Sequence, residues 1–104
     1  MAARVEWANS AREDLDDADR YISRDSTHYA DIVVERIVRA TRHLEQFPLM
    51  GRVVPQDDSQ RTRELVVEGY HVMYEVQQDV VWILRVLHGS RDLNNPANQP
   101  WEPH

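Results

Sequence analysis

Four side chains in the C-terminal half of the chain could together carry out acid–base chemistry at a phosphate group. Glu64, His71, His88 and Arg91 supply a carboxylate, two imidazoles and a guanidinium. Histidine titrates near neutral pH and can take up or release a proton, while arginine can bind phosphate oxygens. A structural role explains the same residues: Glu64 pairs with an arginine, His71 fills a sheet edge, and His88 hydrogen-bonds the turn closed by Gly89. We favour this structural role.

Other chemistries have less support in the sequence. No pair of histidines has the His-x-x-x-His spacing of a metal site, and no acidic triad has ligand spacing. The chain has no cysteine, which removes disulfides, thiolate ligands and thiol nucleophiles. A glycine-rich phosphate loop and a Ser-His-Asp order are also absent from the sequence. We therefore expect neither a metal ion nor a cofactor.

The charge of the chain limits its partners. Its 12 basic residues are all arginine, and they face 18 acidic residues, for a net charge of -6. Such a chain attracts nucleic acid poorly as a whole, because phosphate contacts need clustered cations. The acidic residues crowd one early segment, at Glu13, Asp14, Asp16, Asp17 and Asp19. On a helix, this run is typical of a solvated face.

The length and hydropathy predict one cytoplasmic domain. A chain of 104 residues has room for a single core, which we place in residues 1–92, with an irregular tail at 93–104 that includes Trp101. No apolar run approaches the roughly 20 residues that cross a bilayer, and the first residues lack a signal-peptide pattern. We expect no membrane association.

The elements that must position these side chains begin with a short strand and two helices. Arg4 to Trp7 is a candidate strand, and Ser10 with Glu13 forms a capping-box pattern at the start of a first helix. Apolar residues recur at helical spacing in two segments, first at Ala11, Leu15, Ala18 and Ile22, then at Ala30, Val33, Val34, Ile37, Val38, Thr41 and Leu44. The second helix should stop at Phe47, because Pro48 disfavours helical geometry before it.

Strands follow in the second half of the chain. Glu68-Gly69 suits a two-residue hairpin turn, so Val67 should pair with Tyr70, and Gln78-Asp79 marks the next turn. The element order is then βααβββ. The predicted fold is α+β, with a short N-terminal strand and a two-helix hairpin packed on a three- or four-stranded antiparallel sheet.

Strict alternation along these strands predicts the two faces of the sheet. The face that packs on the helices carries Leu65, Val67, Tyr70, Val72, Tyr74, Val76, Val81, Ile83 and Leu87. The other face carries Glu64, Val66, His71, Met73, Glu75, Trp82, Leu84, Val86 and His88. We expect Met73, Trp82 and Leu84 to form an exposed apolar patch on which a partner docks, unless the tail or a second copy of the chain covers it.

The order of these motifs resembles the ParE branch of the RelE/ParE toxin superfamily. The residues that carry the resemblance are Trp7, Asp14-Leu15, Leu44, Phe47-Pro48, Gly51-Arg52, Arg63-Glu64-Leu65, Gly69-Tyr70, Tyr74 and the segment from Arg85 to Arg91. The resemblance implies the toxin of a type II toxin-antitoxin pair, held in a hetero-oligomer by a ParD-like antitoxin. It also implies that the target is DNA gyrase, and it favours an inhibitor over an enzyme.

Within the superfamily, RelE-like members instead cut messenger RNA on the ribosome with a set of cationic residues. Here Thr62 and Glu64 stand where the resemblance places strand lysines, His71 replaces an arginine, and only Arg91 matches. Some RNA-cutting relatives use a glutamate and a histidine, for which Glu64, His71, His88 and Arg91 are the candidates. A binding module or decayed toxin is the third alternative. The expected target- or antitoxin-binding residues are Arg63, His71, Met73, Trp82, Leu84, His88 and Arg91.

Overall fold

The computed structural model describes residues 3–89 and 98–101. In chain order the elements are β1 (Arg4–Trp7), α1 (Asn9–Ser23), α2 (Thr27–His43), β2 (Arg52–Val53), β3 (Thr62–Val67), β4 (Tyr70–Gln77) and β5 (Val80–His88). Within the described residues, no helix has the length and apolar character to cross a membrane. Arg91 and the predicted boundary between the domain and its tail lie outside the described residues, while Trp101 is partly buried.

The sheet has five strands in the order β1-β5-β4-β3-β2. The α+β class and the two helices are confirmed, but the sheet is larger than expected and mixed, because β1 pairs parallel with β5 while the other pairs are antiparallel. The chain leaves β1 through both helices and returns at the far edge of the sheet, a connection long enough for β1 and β5 to pair in parallel. The sequence missed β2 because its two residues are too few to show a period.

The core lies between the two helices and one face of the sheet. Ala11 and Ala18 of α1 are buried there, with Leu15 and Ile22 packed beside them, as the apolar spacing predicts. The main buried residues from the other elements are Val33, Ile37, Leu44, Tyr70, Val72, Tyr74, Val81, Ile83 and Val86. Burial of this apolar surface is the main force that holds the helices on the sheet.

The helix ends differ from the predicted ones in two places. Ser10 is not a cap: α1 starts at Asn9 after Ala8, no side-chain capping bond forms, and the Ser10 hydroxyl donates to the carbonyl oxygen of Leu84 at 2.9 Å. The second helix ends at His43, before the predicted Phe47, and continues as a turn in which the Phe47 N–H donates to the His43 carbonyl oxygen. The start of α2 is capped by the Ser26 hydroxyl.

The two hairpin turns form where the sequence predicts them. Glu68 and Gly69 both have positive φ, and Val67 pairs with Tyr70. At the second turn Gln78 has positive φ, and Gln77 pairs with Val80. The register from β3 to β4 is therefore the predicted one.

A β-bulge in β5 changes which side chains share a face. Tyr74 pairs with Ile83 but Met73 pairs with Arg85, which leaves Leu84 as the extra residue. The alternation is inverted beyond this point, so the predicted faces are wrong for the last residues of β5. Val86 and His88 lie on the helix side, and Leu87 lies on the opposite side.

Side chains of α1 hold this bulge in place. Because β1 ends at Trp7, the β5 backbone beyond Ile83 has no neighbouring strand on that edge. The Asp14 carboxylate instead accepts the Val86 N–H at 2.9 Å and two N–H groups of Arg85 at 2.7 and 3.1 Å. The Val86 N–H, which has no neighbouring strand to pair with on this edge, is thus hydrogen-bonded by the Asp14 side chain of α1.

Candidate functional site

The most chemically specific arrangement among the described residues is a carboxylate held by two cationic or ionisable partners. Glu64 on β3 accepts a hydrogen bond at Oε1 from Arg52 Nε at 2.7 Å, and Arg52 Nη2 forms an ion pair with the same oxygen at 2.6 Å. Its Oε2 lies 2.9 Å from Nδ1 of His71 on β4. We call Arg52, Glu64 and His71 the carboxylate–histidine site. It lies on the sheet face away from the helices.

Burial explains why this carboxylate needs both partners. The Glu64 side chain is 0% exposed, whereas those of His71 and Arg52 are 26% and 64% exposed. A carboxylate without water is stable only when it is paired and hydrogen-bonded. The local topology supplies this, because β2 places Arg52 directly opposite Glu64 and the hairpin of β3 and β4 brings in His71.

The orientation of His71 gives the site its chemical capacity. When Nδ1 carries a proton and donates to a carboxylate, the lone pair of the ring is at Nε2. Nε2 lies beside Gly89, where a Cβ atom would stand 3.3 Å away, so glycine avoids a tight contact with the ring. An imidazole oriented in this way can act as a general base toward a group placed at Nε2.

The four residues proposed for acid–base chemistry are only partly brought together. Glu64 and His71 lie on one face as expected and are also in contact, and the predicted pairing of Glu64 with an arginine is present through Arg52. His88 is on the other side of the sheet, because the bulge inverts the alternation, and its ring packs edge-on against Tyr70 at 5.3 Å between centroids. Arg91 lies outside the described residues.

The predicted exposed apolar patch on the open face is not present as expected. Met73 is fully buried, and its partners across the neighbouring strands are Glu64 and Arg85. Trp82 and Leu84 are partly buried. Strict alternation identified the face on which Met73 and Trp82 lie, but it did not predict their burial.

Arg63 was expected to contact a target or an antitoxin, but its side chain bonds to the backbone of the protein itself. Its guanidinium donates to the carbonyl oxygens of Leu49 and Gly51 at 3.2 and 2.8 Å, and so holds the loop that follows α2. Arg52, by contrast, was not among the expected site residues although it holds Glu64. The signal that could have identified Arg52 is its pairing with Glu64, which only the short β2 reveals.

A groove of about 680 Å³ runs between α1 and the end of β5. Tyr21 and Arg24 stand on its helix side, Tyr70 and His88 on its sheet side, and Asp17 at its rim. The Arg24 guanidinium lies 5.8 Å from the centre of the Tyr21 ring, a cation–π contact. Burial, with the neighbouring tyrosines, raises the pKa of the Tyr70 phenol, which stays neutral at physiological pH. The groove combines aromatic surface with side chains of both charges.

A second buried carboxylate, Asp57, shapes the loop before β3. It accepts from the Ser59 N–H and hydroxyl at 3.0 and 2.6 Å, and from the Thr62 N–H at 2.9 Å. Burial alone would raise the pKa of Asp57, but these hydrogen bonds outweigh it and the pKa is lowered. Among the residues that the structure describes, no group of His, Asp or Glu side chains could hold a metal ion.

Comparison with known proteins gives consistent matches. Residues 5–93 match the family described as the ParE toxin of the type II toxin-antitoxin system parDE. A candidate toxin of Sinorhizobium fredii, Y4kP, is 34% identical over 100 residues, which cover 94% of this chain and 92% of the relative.

Two solved structures share the fold. The chromosomal ParDE toxin-antitoxin system from P. aeruginosa has a chain with a TM-score of 0.69 at 24% identity, covering 84% of this chain and 96% of that one. The RelBE2 toxin-antitoxin complex from Mycobacterium tuberculosis gives a TM-score of 0.63 at 22% identity, covering 85% and 99% of the two chains.

Proposed function

This chain belongs to the ParE toxin family of type II toxin-antitoxin systems, and on that basis we propose that it inhibits DNA gyrase and is neutralised by a ParD-like antitoxin. Both structural neighbours come from toxin-antitoxin complexes, which supports a hetero-oligomer with an antitoxin. The choice between DNA gyrase and messenger RNA as the target depends on the carboxylate–histidine site.

The observation that carries the choice of target is the buried Glu64. Cleavage of RNA by cationic residues needs positive side chains aimed at the phosphate as negative charge develops. At the two strand positions where RelE-like members carry lysines, this chain has Thr62 and Glu64, and both are buried. The Glu64 carboxylate also forms an ion pair with Arg52. These two positions therefore offer no cation to a phosphate, which supports inhibition of gyrase without RNA cleavage.

The groove between α1 and β5 supports the antitoxin as partner. A tail that is disordered before binding gains most from a preformed concave surface with aromatic walls. Tyr21 lines this groove and is 66% exposed, so its ring is available to a bound tail. We therefore assign the groove to the antitoxin tail.

RNA cleavage is the second candidate, and the contact between Glu64 and His71 is the observation that favours it. In that mechanism His71 Nε2 takes the proton of a ribose 2'-hydroxyl, the 2'-oxygen attacks phosphorus, and the bond to the 5'-oxygen breaks. The leaving oxygen then needs a proton donor. His88, the expected second group, lies across the sheet from His71, which weakens this candidate.

Plasmid topology in cells distinguishes the two functions. The protein is expressed from an inducible promoter without an antitoxin, and plasmid DNA and messenger RNA are recovered before growth stops. Gyrase inhibition predicts relaxed plasmid and full-length messenger. Supercoiled plasmid with cut messenger would support the second candidate and overturn the first.

A further inference from the structure

The loop that follows α2 carries a compact group of exposed apolar side chains. Phe47, Leu49 and Met50 are 62%, 62% and 53% exposed. They account for half of the exposed large hydrophobic residues that the structure describes. Isolated exposed apolar residues are ordinary, but three within one turn form a patch that usually marks an interaction surface. We call residues 47–50 the apolar turn.

The backbone of the apolar turn is fixed by the core beneath it. The Met50 N–H donates to the Phe47 carbonyl oxygen at 3.1 Å, which closes the turn. The next residue, Gly51, donates its N–H to the hydroxyl of Tyr74 at 2.8 Å, and Tyr74 is fully buried. A Cβ atom at position 51 would stand 2.6 Å from that hydroxyl, so only glycine allows this approach.

The apolar turn is therefore preorganised while its side chains face water. A rigid surface loses little conformational freedom on binding, which favours its use as an anchor. Its three large side chains are more than half exposed on a closed turn, so they can insert into a pocket on a folded protein. The groove between α1 and β5 suits a disordered antitoxin tail better than the apolar turn does.

The charge around the apolar turn indicates the chemistry of the partner. Arg42 is exposed in the last turn of α2, and Arg63 is bonded to two carbonyl oxygens but to no carboxylate among the described residues. Arg52, largely exposed, is paired with the buried Glu64, and Glu45 is the acidic residue nearest in sequence. This corner is thus more positive than a chain of net charge -6 would suggest.

We propose that the apolar turn is the anchor by which this protein docks on its folded target, in an apolar pocket rimmed by carboxylates. The inference rests on the proposed function, since it places the contact with the gyrase target on this turn and the antitoxin elsewhere. Phenylalanine, methionine and arginine are enriched at the centres of interfaces, and a few such anchors provide most of the binding energy.

The test compares three substitutions in the full-length purified protein. Leu49→Asp should weaken inhibition of gyrase by about 10-fold or more, because it removes an anchor and adds repulsion. Leu49→Arg should retain more activity than Leu49→Asp, since its charge suits carboxylates. Val66→Asp, at another exposed apolar residue, is the matched control and should inhibit like the wild type. Circular dichroism and thermal melting establish that each variant is folded.

Growth arrest in cells is measured beside gyrase inhibition so that the two proposals can fail separately. Equal inhibition and toxicity by wild type and Leu49→Asp would overturn the anchor and leave the antitoxin as the occupant. Self-association of the wild type that Leu49→Asp abolishes would also overturn it, with a second copy as the occupant. Wild-type toxicity that Leu49→Asp removes, without any gyrase inhibition, would overturn gyrase as target but support the anchor. A wild type without toxicity would overturn both.

Discussion

The buried carboxylate of Glu64 and the imidazole of His71 are joined on one face of the sheet by a contact of 2.9 Å between Oε2 and Nδ1. With Arg52 on the other carboxylate oxygen, this contact ties β2, β3 and β4 together. The same atoms supply the general base in the second candidate function, RNA cleavage. A structural and a catalytic role for this pair lead to different outcomes when the charge of Glu64 is removed.

Glu64→Gln keeps the shape of the side chain but removes its charge. We expect the free energy of unfolding to fall by about 1–3 kcal/mol, since charge-assisted hydrogen bonds to a buried group are lost. Inhibition of gyrase by the folded variant should stay at the wild-type level. Urea denaturation and a supercoiling assay measure the two effects, with Glu75→Gln on the neighbouring strand as control. Loss of inhibition in a folded Glu64→Gln protein would refute a purely structural role.

Asp14→Ala tests the attachment of α1 to the bulged part of β5. The substitution leaves the Val86 N–H and the Arg85 guanidinium without their acceptor, so stability should fall by about 1–3 kcal/mol. Asp17→Ala is the control, because its ion pair with Arg20 is exposed and should change stability by less than about 0.5 kcal/mol. Equal melting temperatures of the two variants would show that Asp14 does not hold the bulge.

The lowered pKa of Asp57 predicts that acid destabilises the loop before β3. Burial raises its pKa, but hydrogen bonds from Ser59 and Thr62 lower it further than burial raises it, so the folded pKa lies below the unfolded one. Its stabilising contribution is therefore present above the unfolded pKa of about 3.9 and is lost as the pH falls through the folded pKa. Asp57→Asn should be less stable than the wild type at pH 7, with a difference that shrinks on acidification. A constant difference in urea titrations across this range would argue against the shift.

Arg91→Ala tests the residue that the sequence assigns to target contact. We expect the substitution to abolish toxicity and leave the fold intact, as measured by growth arrest and by thermal melting of the purified protein. Arg61→Ala, an exposed arginine in the loop before β3, is the matched control. Unchanged toxicity of Arg91→Ala would remove Arg91 from the binding surface.

Local signals predicted most of the fold. The turns at Glu68-Gly69 and Gln78-Asp79 depend on a few residues that tolerate positive φ, and the helix stripes depend on spacing within one segment. The register from β3 to β4 followed from the first turn alone. These features match the prediction because each depends on residues that are close together in the sequence.

Long-range contacts decided the features that sequence reasoning missed. The bulge at Leu84 depends on Asp14, which is 71 positions from Arg85 in the chain, and it moved His88 away from His71. The parallel pairing of β1 depends on how both helices cross the sheet. Arg52 joined the site only through β2, whose length gives no periodic signal. The contact between Glu64 and His71 was predictable because both lie within one hairpin.

The most direct measurement is supercoiling of relaxed plasmid by purified DNA gyrase in the presence of the purified protein. We predict that the amount of supercoiled product decreases as the protein concentration rises. In a parallel assay, the same protein preparation is added to ribosomes that translate a messenger RNA, and we predict that this messenger stays full-length. Complete supercoiling at every protein concentration, together with cut messenger, would contradict gyrase inhibition and make the contact between Glu64 and His71 the centre of the mechanism.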